Sequence, residues 1–351
     1  MGCEKNSLET PTVYVSLKPL NVSAIDSARQ WPGWRGALRH GIAHESNFPT
    51  TWQVEQEVRW KASVPGIGNS SPVVWGDRVW LTSIVAAENG QRAVILAFDR
   101  TYGQLVWQTD VGAPQGTTHS KNGFASATVT TDGTRVFASF PSLGLFALDM
   151  QGNVLWHAAS IGGKHEWGQA ASPLLFENLV LHVGDGDGSS AIAAYDQTTG
   201  REVWKTPRQS RGSWSSPVLM NAGTSAEPQW QVIVNGTGSG SGSAGEVIAY
   251  DPRSGAEIWK ARGTTDIACP TAIVGDGLLV SASGGNGPIF AIRPNGRGDV
   301  TNSHVAWRLS SGGPYVPTGV IYRDHLYLIS DGGMATCHRL NDGAIVWRKR
   351  L

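Results

Sequence analysis

Six short segments rich in glycine, serine and proline carry polar and aromatic side chains that a plain turn does not require. The segments are residues 65–72, 118–126, 164–173, 210–217, 264–270 and 311–317. Their chemistry-bearing residues are His119, Lys121, Asn122, His165, Glu166, Trp167, Arg211, Trp214, Asp266 and Tyr315. Brought together, they would form a polar funnel with aromatic walls, which suits a small anionic or sugar-like ligand or an extended peptide. Alternatively, these loops only hydrogen-bond one another and fill a channel.

Other sequence motifs that could indicate a phosphate or metal site lack the neighbouring residues or elements that such a site requires. Residues 240–245 match GxGxxG, but a strand-like sequence follows where a phosphate-binding helix is required. Residues 185–188 begin like a calcium loop, but serines follow where that loop needs an acidic ligand and a glycine. Cys3, Cys269 and Cys337 are isolated, which predicts neither a zinc site nor a disulfide scaffold. We therefore predict no metal site and assign no catalytic residue.

Composition narrows the class of protein further. Charged residues make up 16% of the chain, and its 28 basic and 28 acidic side chains cancel. This balance argues against a nucleic-acid partner and against a polybasic membrane-binding surface. No uninterrupted apolar stretch reaches the ~18 residues of a membrane-spanning helix. The 44 glycines and 15 tryptophans instead indicate many turns and extensive aromatic packing.

A tryptophan recurs every 40 to 55 residues along the chain. The recurring tryptophans are Trp60, Trp107, Trp156, Trp204, Trp259, Trp307 and Trp347, and glycines precede five of them by four residues, at Gly103, Gly152, Gly200, Gly255 and Gly343. Strings such as AYDQTTGREVW (194–204) predict a strand, a polar turn and a second strand that carries the tryptophan. The aspartate of each string opens the turn, where its carboxylate accepts backbone N–H bonds.

A second hairpin precedes each of these pairs, so each repeat contains four strands. Four strands per repeat are typical of one blade of a β-propeller, with the tryptophan filling the space between blades. We predict an all-β propeller domain over residues 31–351 with six recognisable blades, and a flexible leader over residues 1–30. Trp60 has no inner strands before it and predicts an N-terminal closing strand. The sixth blade ends at Trp347, so we predict an incomplete seven- or eight-bladed ring.

The repeat A-x-D-x-x-[TS]-G-x-x-x-W resembles the tryptophan-docking repeat of pyrroloquinoline-quinone-like (PQQ-like) propellers, found in quinoprotein alcohol dehydrogenases and in the propeller lipoprotein of the outer-membrane assembly machinery. The resemblance covers residues 31–351 and includes WPGWRG at 31–36. It implies a non-catalytic scaffold of the periplasm or cell envelope that holds a protein or glycan partner at the funnel. Met1-Gly2-Cys3 is similar to the end of a bacterial lipoprotein signal, which would make Cys3 a lipid anchor.

The resemblance also implies two alternatives. One is a PQQ- and calcium-dependent alcohol or sugar dehydrogenase, in which Glu166 and Asp266 supply carboxylates and Trp167 or Trp214 stacks on the quinone. The chain departs from that pattern because segment 208–215 contains no asparagine and the adjacent cysteine pair of such enzymes is missing. The other alternative is a carbohydrate-binding propeller that uses Trp167 and Trp214.

Overall fold

The structure is a computed structural model, and it describes residues 30–37, 39–43, 48–212, 214–238 and 242–351. Cys3 and most of the predicted leader lie outside the described residues. Within these ranges the helix α1 (Val54–Glu57) is four residues long, and no described helix is long and apolar enough to cross a bilayer.

Twenty-five strands in the described ranges form six sheets, one after another along the chain. Sheet 1 contains β1 (Val73–Trp75), β2 (Arg78–Ala87), β3 (Gly90–Asp99) and β4 (Leu105–Gly112); sheet 2 contains β5 (Thr130–Thr131), β6 (Arg135–Phe140), β7 (Gly144–Asp149) and β8 (Val154–Ala158); sheet 3 contains β9 (Leu174–Phe176), β10 (Leu179–Gly184), β11 (Ala191–Asp196) and β12 (Glu202–Pro207). Sheet 4 contains β13 (Val218–Asn221), β14 (Trp230–Asn235), β15 (Gly245–Tyr250) and β16 (Glu257–Thr264); sheet 5 contains β17 (Ile273–Gly275), β18 (Leu278–Ala282), β19 (Ile289–Ile292) and β21 (Val305–Leu309); sheet 6 contains β22 (Val320–Tyr322), β23 (His325–Ile329), β24 (Met334–Arg339) and β25 (Ile345–Arg350). A long turn, residues 293–304, connects β19 to β21 in sheet 5. It contains the two-residue strand β20 (Gly298–Asp299), which pairs in parallel with β16 of sheet 4. The predicted all-β class and its four-stranded repeat are confirmed.

The turn between the third and fourth strands of a sheet forms as the aspartate pattern predicts. In sheet 3, Asp196 Oδ1 accepts the backbone N–H groups of Thr198 and Thr199 at 3.1 and 2.8 Å. The bond from Thr199 is the main reason why the pKa of Asp196 lies below its ordinary value. Asp99 and Asp251 make the equivalent pair of bonds in their own turns. These carboxylates are therefore turn-forming groups.

Successive sheets are linked near their first strands by a chain of hydroxyl groups. In each link, a backbone N–H just before one sheet donates to a serine or threonine hydroxyl just before the next sheet. The links run from Ser71 to Thr128 (2.9 Å), Thr128 to Ser172 (3.0 Å), Ser172 to Ser216 (3.0 Å), Ser216 to Thr271 (3.1 Å) and Thr271 to Thr318 (3.0 Å). We call this series the hydroxyl chain. It joins all six sheets in sequence order.

The repeated tryptophans make a second link at larger radius. Each indole Nε1 donates to a turn carbonyl of the following sheet, while its ring lies against that turn's glycine. The bonds are Trp60 to Arg100 (2.9 Å), Trp107 to Met150 (3.1 Å), Trp156 to Gln197 (3.0 Å), Trp204 to Pro252 (3.1 Å) and Trp307 to Leu340 (2.7 Å). Buried apolar clusters fill the space between each successive pair of sheets. The predicted role of the tryptophans as spacers is therefore confirmed.

Trp60 follows this rule although it does not itself lie in a strand. Two of the seven tryptophans, Trp259 and Trp347, depart from it. Trp259 is fully buried and donates to Gln231 Oε1 (2.8 Å), while Gln231 Nε2 donates to the carbonyl of Pro294 (3.0 Å). Gln231 thus bridges Trp259 to the long turn of sheet 5. Trp347 in the last sheet is 43% exposed.

A buried ion pair adds to the link between sheets 3 and 4. The guanidinium of Arg208 binds both carboxylate oxygens of Asp185 at 2.8 and 3.1 Å and also the hydroxyl of Tyr250 at 2.8 Å. The Arg208 and Asp185 side chains are only 1% and 0% exposed. Burial alone would lower the pKa of Arg208, but Asp185 and Tyr250 raise it. Both carboxylate oxygens of Asp185 are therefore occupied by Arg208, so Asp185 forms an ion pair and is not a ligand in a calcium loop.

The glycine at the docking turn can be tested against a matched glycine. Gly255 has φ +73° and a side chain there would overlap the ring of Trp204, whereas Gly277 has φ +75° and open space around it. We expect Gly277→Ala to cost about 1–2 kcal/mol of unfolding free energy, from backbone strain alone. Gly255→Ala should cost about 3 kcal/mol or more because it also displaces the indole. Urea unfolding measures both, and equal losses would contradict the docking role.

The pH dependence of stability follows from a buried histidine. His182 is buried, its Nδ1 has no hydrogen-bond partner among the described residues, and burial lowers its pKa from 6.5 to about 4. The unfolded chain therefore binds a proton between pH 6.5 and 4 that the folded chain does not, so stability is full above pH 6.5 and falls towards pH 4. We expect this histidine to contribute a loss of about 3 kcal/mol. Urea titrations across this range should show a shallower slope for His182→Gln, and an unchanged slope would contradict the assignment.

Candidate functional site

The segments that lead into the first strand of each sheet meet around one pocket of about 200 Å³. The residues that line it are Trp34, Asn69, His119, Lys121, Asn122, Ser126, Trp167, Ala170, Ser172, Trp214, Ser216, Cys269, Thr271, Tyr315, Val316 and Thr318. We call this the axial pocket. Because the hydroxyl chain fixes where each first strand begins, it also fixes where each lining segment lies. Six of the ten sequence-predicted residues, His119, Lys121, Asn122, Trp167, Trp214 and Tyr315, are brought together here.

One wall of the axial pocket is an aromatic pair. The rings of Trp167 and Trp214 stack with centroids 5.7 Å apart and an interplanar angle of 30°. The His165 ring meets both indoles edge-on, at 5.7 and 5.2 Å, and His119 meets Trp167 edge-on at 5.6 Å. Trp214 Nε1 donates to the carbonyl of Gly168 at 2.8 Å, which fixes the ring. The wall is therefore a rigid apolar surface.

The charged group of the axial pocket is the ammonium of Lys121, whose Nζ lies 4.7 Å from the ring centroid of Tyr315. Within the described ranges, no carboxylate lies within ion-pair distance of this ammonium. The neighbouring Asn122 is already engaged, because its Nδ2 donates to the carbonyl of Trp167 at 2.7 Å and its Oδ1 accepts from Ser126 Oγ at 2.5 Å. Lys121 is thus free to meet a negative group of a ligand.

We call residues 31–37 and 39–41 the floor segment; it contributes Trp34 to the pocket lining, and sequence reasoning did not place it there. Arg39 donates to the carbonyl of Trp34 (3.4 Å), to Thr130 Oγ1 (2.8 Å) and to the carbonyl of Pro173 (2.9 Å). Arg35 donates to the carbonyls of Thr318 and Gly319 at 3.3 and 2.5 Å. The only sequence signal was the dense WPGWRG string outside any repeat.

The two floor arginines, the buried Arg39 and the half-buried Arg35, have no acidic partner in the described part of the chain. Arg39 is 5% exposed, and burial lowers its pKa to about 9; burial likewise lowers the pKa of Arg35 to about 10. All their acceptors are neutral carbonyl or hydroxyl oxygens. Positive charge therefore lies both beside and beneath the pocket, which favours a negatively charged occupant.

The other four predicted residues are not among those that line the pocket. His165 lies behind the aromatic wall, and burial lowers its pKa. Arg211 pairs with Asp187 at 3.0 Å. Asp266 accepts the backbone N–H of Gly242 at 3.4 Å, and the backbone carbonyl of Glu166 accepts from Thr117 Oγ1 at 3.0 Å. His165 thus contacts the two indoles without lining the pocket, whereas Glu166, Arg211 and Asp266 are not among the lining residues.

A quinone and calcium site does not fit these residues. Such a site needs carboxylate oxygens on the metal and a carboxylate base near the substrate. The described lining contains no aspartate or glutamate, because Glu166 and Asp266 lie outside it. Over the described ranges, no group of three or more His, Cys, Asp or Glu side chains is placed to hold a metal ion. What the described lining presents is the aromatic pair Trp167–Trp214 and the ammonium of Lys121.

Sequence comparison places the chain among known proteins. The family described as "Outer membrane protein assembly factor BamB" matches residues 50–171 and 162–349. The chain belongs to this family.

Two individual relatives of this BamB-family chain share less than a quarter of the aligned residues with it. It is 24% identical to the outer membrane protein assembly factor BamB of Yersinia pestis over 279 residues, which are 76% of the chain and 63% of that protein. It is 23% identical to the polyvinylalcohol dehydrogenase of Pseudomonas sp over 390 residues, 98% of the chain and 54% of that protein. The chain thus spans less than two thirds of these relatives.

A solved structure supports the fold. BamB from Moraxella catarrhalis superposes with a TM-score of 0.52 at 17% identity, covering 78% of the chain and 72% of that structure. At this identity the similarity bears on the fold alone. It confirms that the repeats build a PQQ-like propeller architecture.

The reactivity of Cys269 tests the environment of the axial pocket. Burial raises the pKa of this half-buried thiol from 9.0 to about 12. At pH 8 its thiolate fraction is then about 1,000-fold below that of an ordinary thiol. We expect iodoacetamide to modify Cys269 of a Cys3→Ser/Cys337→Ser variant about that much more slowly in the folded than in the urea-unfolded state. Rates within tenfold of each other would contradict the buried placement.

Proposed function

We propose that this chain is a non-catalytic scaffold of the cell envelope that holds a negatively charged segment of a protein partner in the axial pocket. The observation that carries the proposal is the pocket lining: a stacked Trp167–Trp214 wall, a free Lys121 ammonium and no carboxylate in the described lining. An aromatic surface beside one cation suits a peptide that presents an apolar side chain next to a carboxylate. Membership in the BamB family supports the envelope location and a protein partner.

The pocket also has the rigidity that selective binding needs. Its first-strand segments are tied together by the hydroxyl chain, and its floor is tied to sheet 2 by Arg39 and to sheet 6 by Arg35. A preformed site binds without the cost of ordering its own loops. The floor arginines add a field that favours the same sign of charge as Lys121 does.

The oxidoreductase alternative is favoured by the similarity to polyvinylalcohol dehydrogenase over 98% of the chain. The lining argues against it, since Glu166 and Asp266 do not reach the axial pocket. A neutral glycan held by the Trp167–Trp214 wall would not use the positive charge of Lys121, whereas an acidic peptide segment would. Both alternatives remain distinguishable by experiment.

Crosslinking in living cells tests the proposal. A photoreactive amino acid at Val316, which lines the pocket and is 43% exposed, should give a defined protein adduct. The same amino acid at Tyr102, which is 71% exposed on the turn of sheet 1, is the matched control. Lys121→Met should weaken the adduct about tenfold, as expected for a lost charge-assisted bond. No adduct at Val316, or the same adducts at both positions, would sink the proposal.

A quinone titration separates the enzyme alternative. We expect calorimetry with pyrroloquinoline quinone to give the same negligible heat with and without Ca²⁺. Micromolar binding that requires Ca²⁺ and is lost in Glu166→Ala/Asp266→Ala would instead make the chain an oxidoreductase.

A further inference from the structure

Two departures from the repeat meet at one place on the propeller, at a pocket that is separate from the axial pocket. The first is the insertion 221–230 between β13 and β14 of sheet 4; the second is the long turn 293–304 between β19 and β21 of sheet 5. Together with residues 251–258 of sheet 4, they enclose a pocket of about 350 Å³. We call it the peripheral pocket. It shares no lining residue with the axial pocket.

Both departures are held in fixed shapes. Asn221 Oδ1 accepts the backbone N–H groups of Gly223 and Gln229 at 3.0 and 2.9 Å, so it closes the two ends of the insertion on each other. The long turn is anchored by the bond from Gln231 to the carbonyl of Pro294 and by the Val300 N–H, which donates to the carbonyl of Lys260 at 2.8 Å. The pocket is therefore preformed rather than assembled by mobile loops.

Several polar groups around the peripheral pocket have no partner in the described part of the protein. They are the side-chain amides of Gln229 and Asn295, the indole N–H of Trp230, the carboxylate of Glu257 and the guanidinium of Arg297. The set contains both donors and acceptors. A ligand in this pocket can therefore be hydrogen-bonded from several sides at once.

The charges of the pocket cancel. Asp251 and Glu257 supply two negative groups, and Arg253 and Arg297 supply two positive groups. Arg253 already pairs with Glu177, its Nη2 lying 2.5 Å from a carboxylate oxygen, and Asp251 already accepts two backbone N–H bonds in its turn. Neither sign of charge is selected, so the fitting ligand is a neutral molecule with many donors and acceptors.

Trp230 supplies the apolar part of the lining. Its ring is half-buried and rests against Phe176, with centroids 6.3 Å apart in a T-shaped arrangement. An indole that is fixed from behind presents a flat surface to a ligand. A sugar ring combines C–H faces, which pack on such a surface, with hydroxyl groups that both donate and accept.

We propose that the peripheral pocket is a saccharide-binding site, separate from the axial pocket and its partner. Asn295 and Arg297 reach the sugar hydroxyls from the long turn, and Gln229 reaches them from the insertion. The volume suits one or two sugar rings. The site gives the scaffold a second attachment, to a glycan, which does not compete with the axial pocket.

The test uses the full chain and a panel of neutral trisaccharides: chitotriose, maltotriose, cellotriose and mannotriose. We expect at least one to bind in calorimetry at concentrations up to about 10 mM. Asn295→Ala/Arg297→Ala should weaken it about tenfold or more, because the variant removes two hydrogen-bonding side chains that line the pocket. Gln91→Ala/Arg348→Ala, an exposed amide and guanidinium on sheets 1 and 6, is the matched control and should bind normally.

Thermal unfolding of each variant checks that the fold is intact. The proposal is overturned if no trisaccharide binds, or if the double variant binds like the unaltered chain. It is also overturned if Lys121→Met abolishes saccharide binding, since the sugar would then lie in the axial pocket. Binding of neutral tripeptides in place of sugars, lost in Asn295→Ala/Arg297→Ala, would assign the pocket to a peptide and overturn the saccharide assignment.

Discussion

The fold depends on how one sheet is fixed to the next. At small radius a backbone N–H of each sheet's approach segment donates to a hydroxyl of the following one, as between Ser172 and Ser216. At larger radius an indole such as Trp204 docks on the turn of the next sheet. Two contacts at different radii fix both the spacing and the tilt between neighbouring sheets. These contacts therefore also fix the positions of the loops that line the axial pocket.

At both candidate sites, the contacts between sheets differ from the regular pattern of hydroxyl and indole links. Between sheets 4 and 5 the indole of Trp259 does not reach the long turn directly, and Gln231 bridges the two. The space opened by that longer turn is the peripheral pocket. At the axis, Arg35 binds carbonyls of sheet 6 from outside the repeats, and the same segment supplies the pocket floor. The regular repeats fix the positions of the sheets and of the segments before their first strands. Segments outside the regular repeat complete the lining of both pockets.

The frame was predictable because its signals are local and recur. A glycine four residues before a tryptophan, with an aspartate opening the turn, specifies a hairpin within about eleven residues. The convergence of His119, Lys121, Trp167, Trp214 and Tyr315 followed from their position before first strands. The placement of Glu166 and Asp266 did not follow, because the direction of a side chain on a loop depends on backbone angles that composition does not set. The floor arginines were missed because Arg35 meets Thr318 across 283 positions of the chain.

The segment 31–41 changes how the propeller responds to stress. Sheets that contact only their sequence neighbours behave as a linear array, which can unravel from either end one unit at a time. This segment pairs through Trp31 with Val74 in sheet 1, and through its arginines it also reaches Thr130 at sheet 2, Pro173 at sheet 3 and Thr318 at sheet 6. Opening an end sheet therefore also breaks contacts at distant sheets. We therefore expect this short stretch outside the repeats to make unfolding more cooperative than it would be in a linear array.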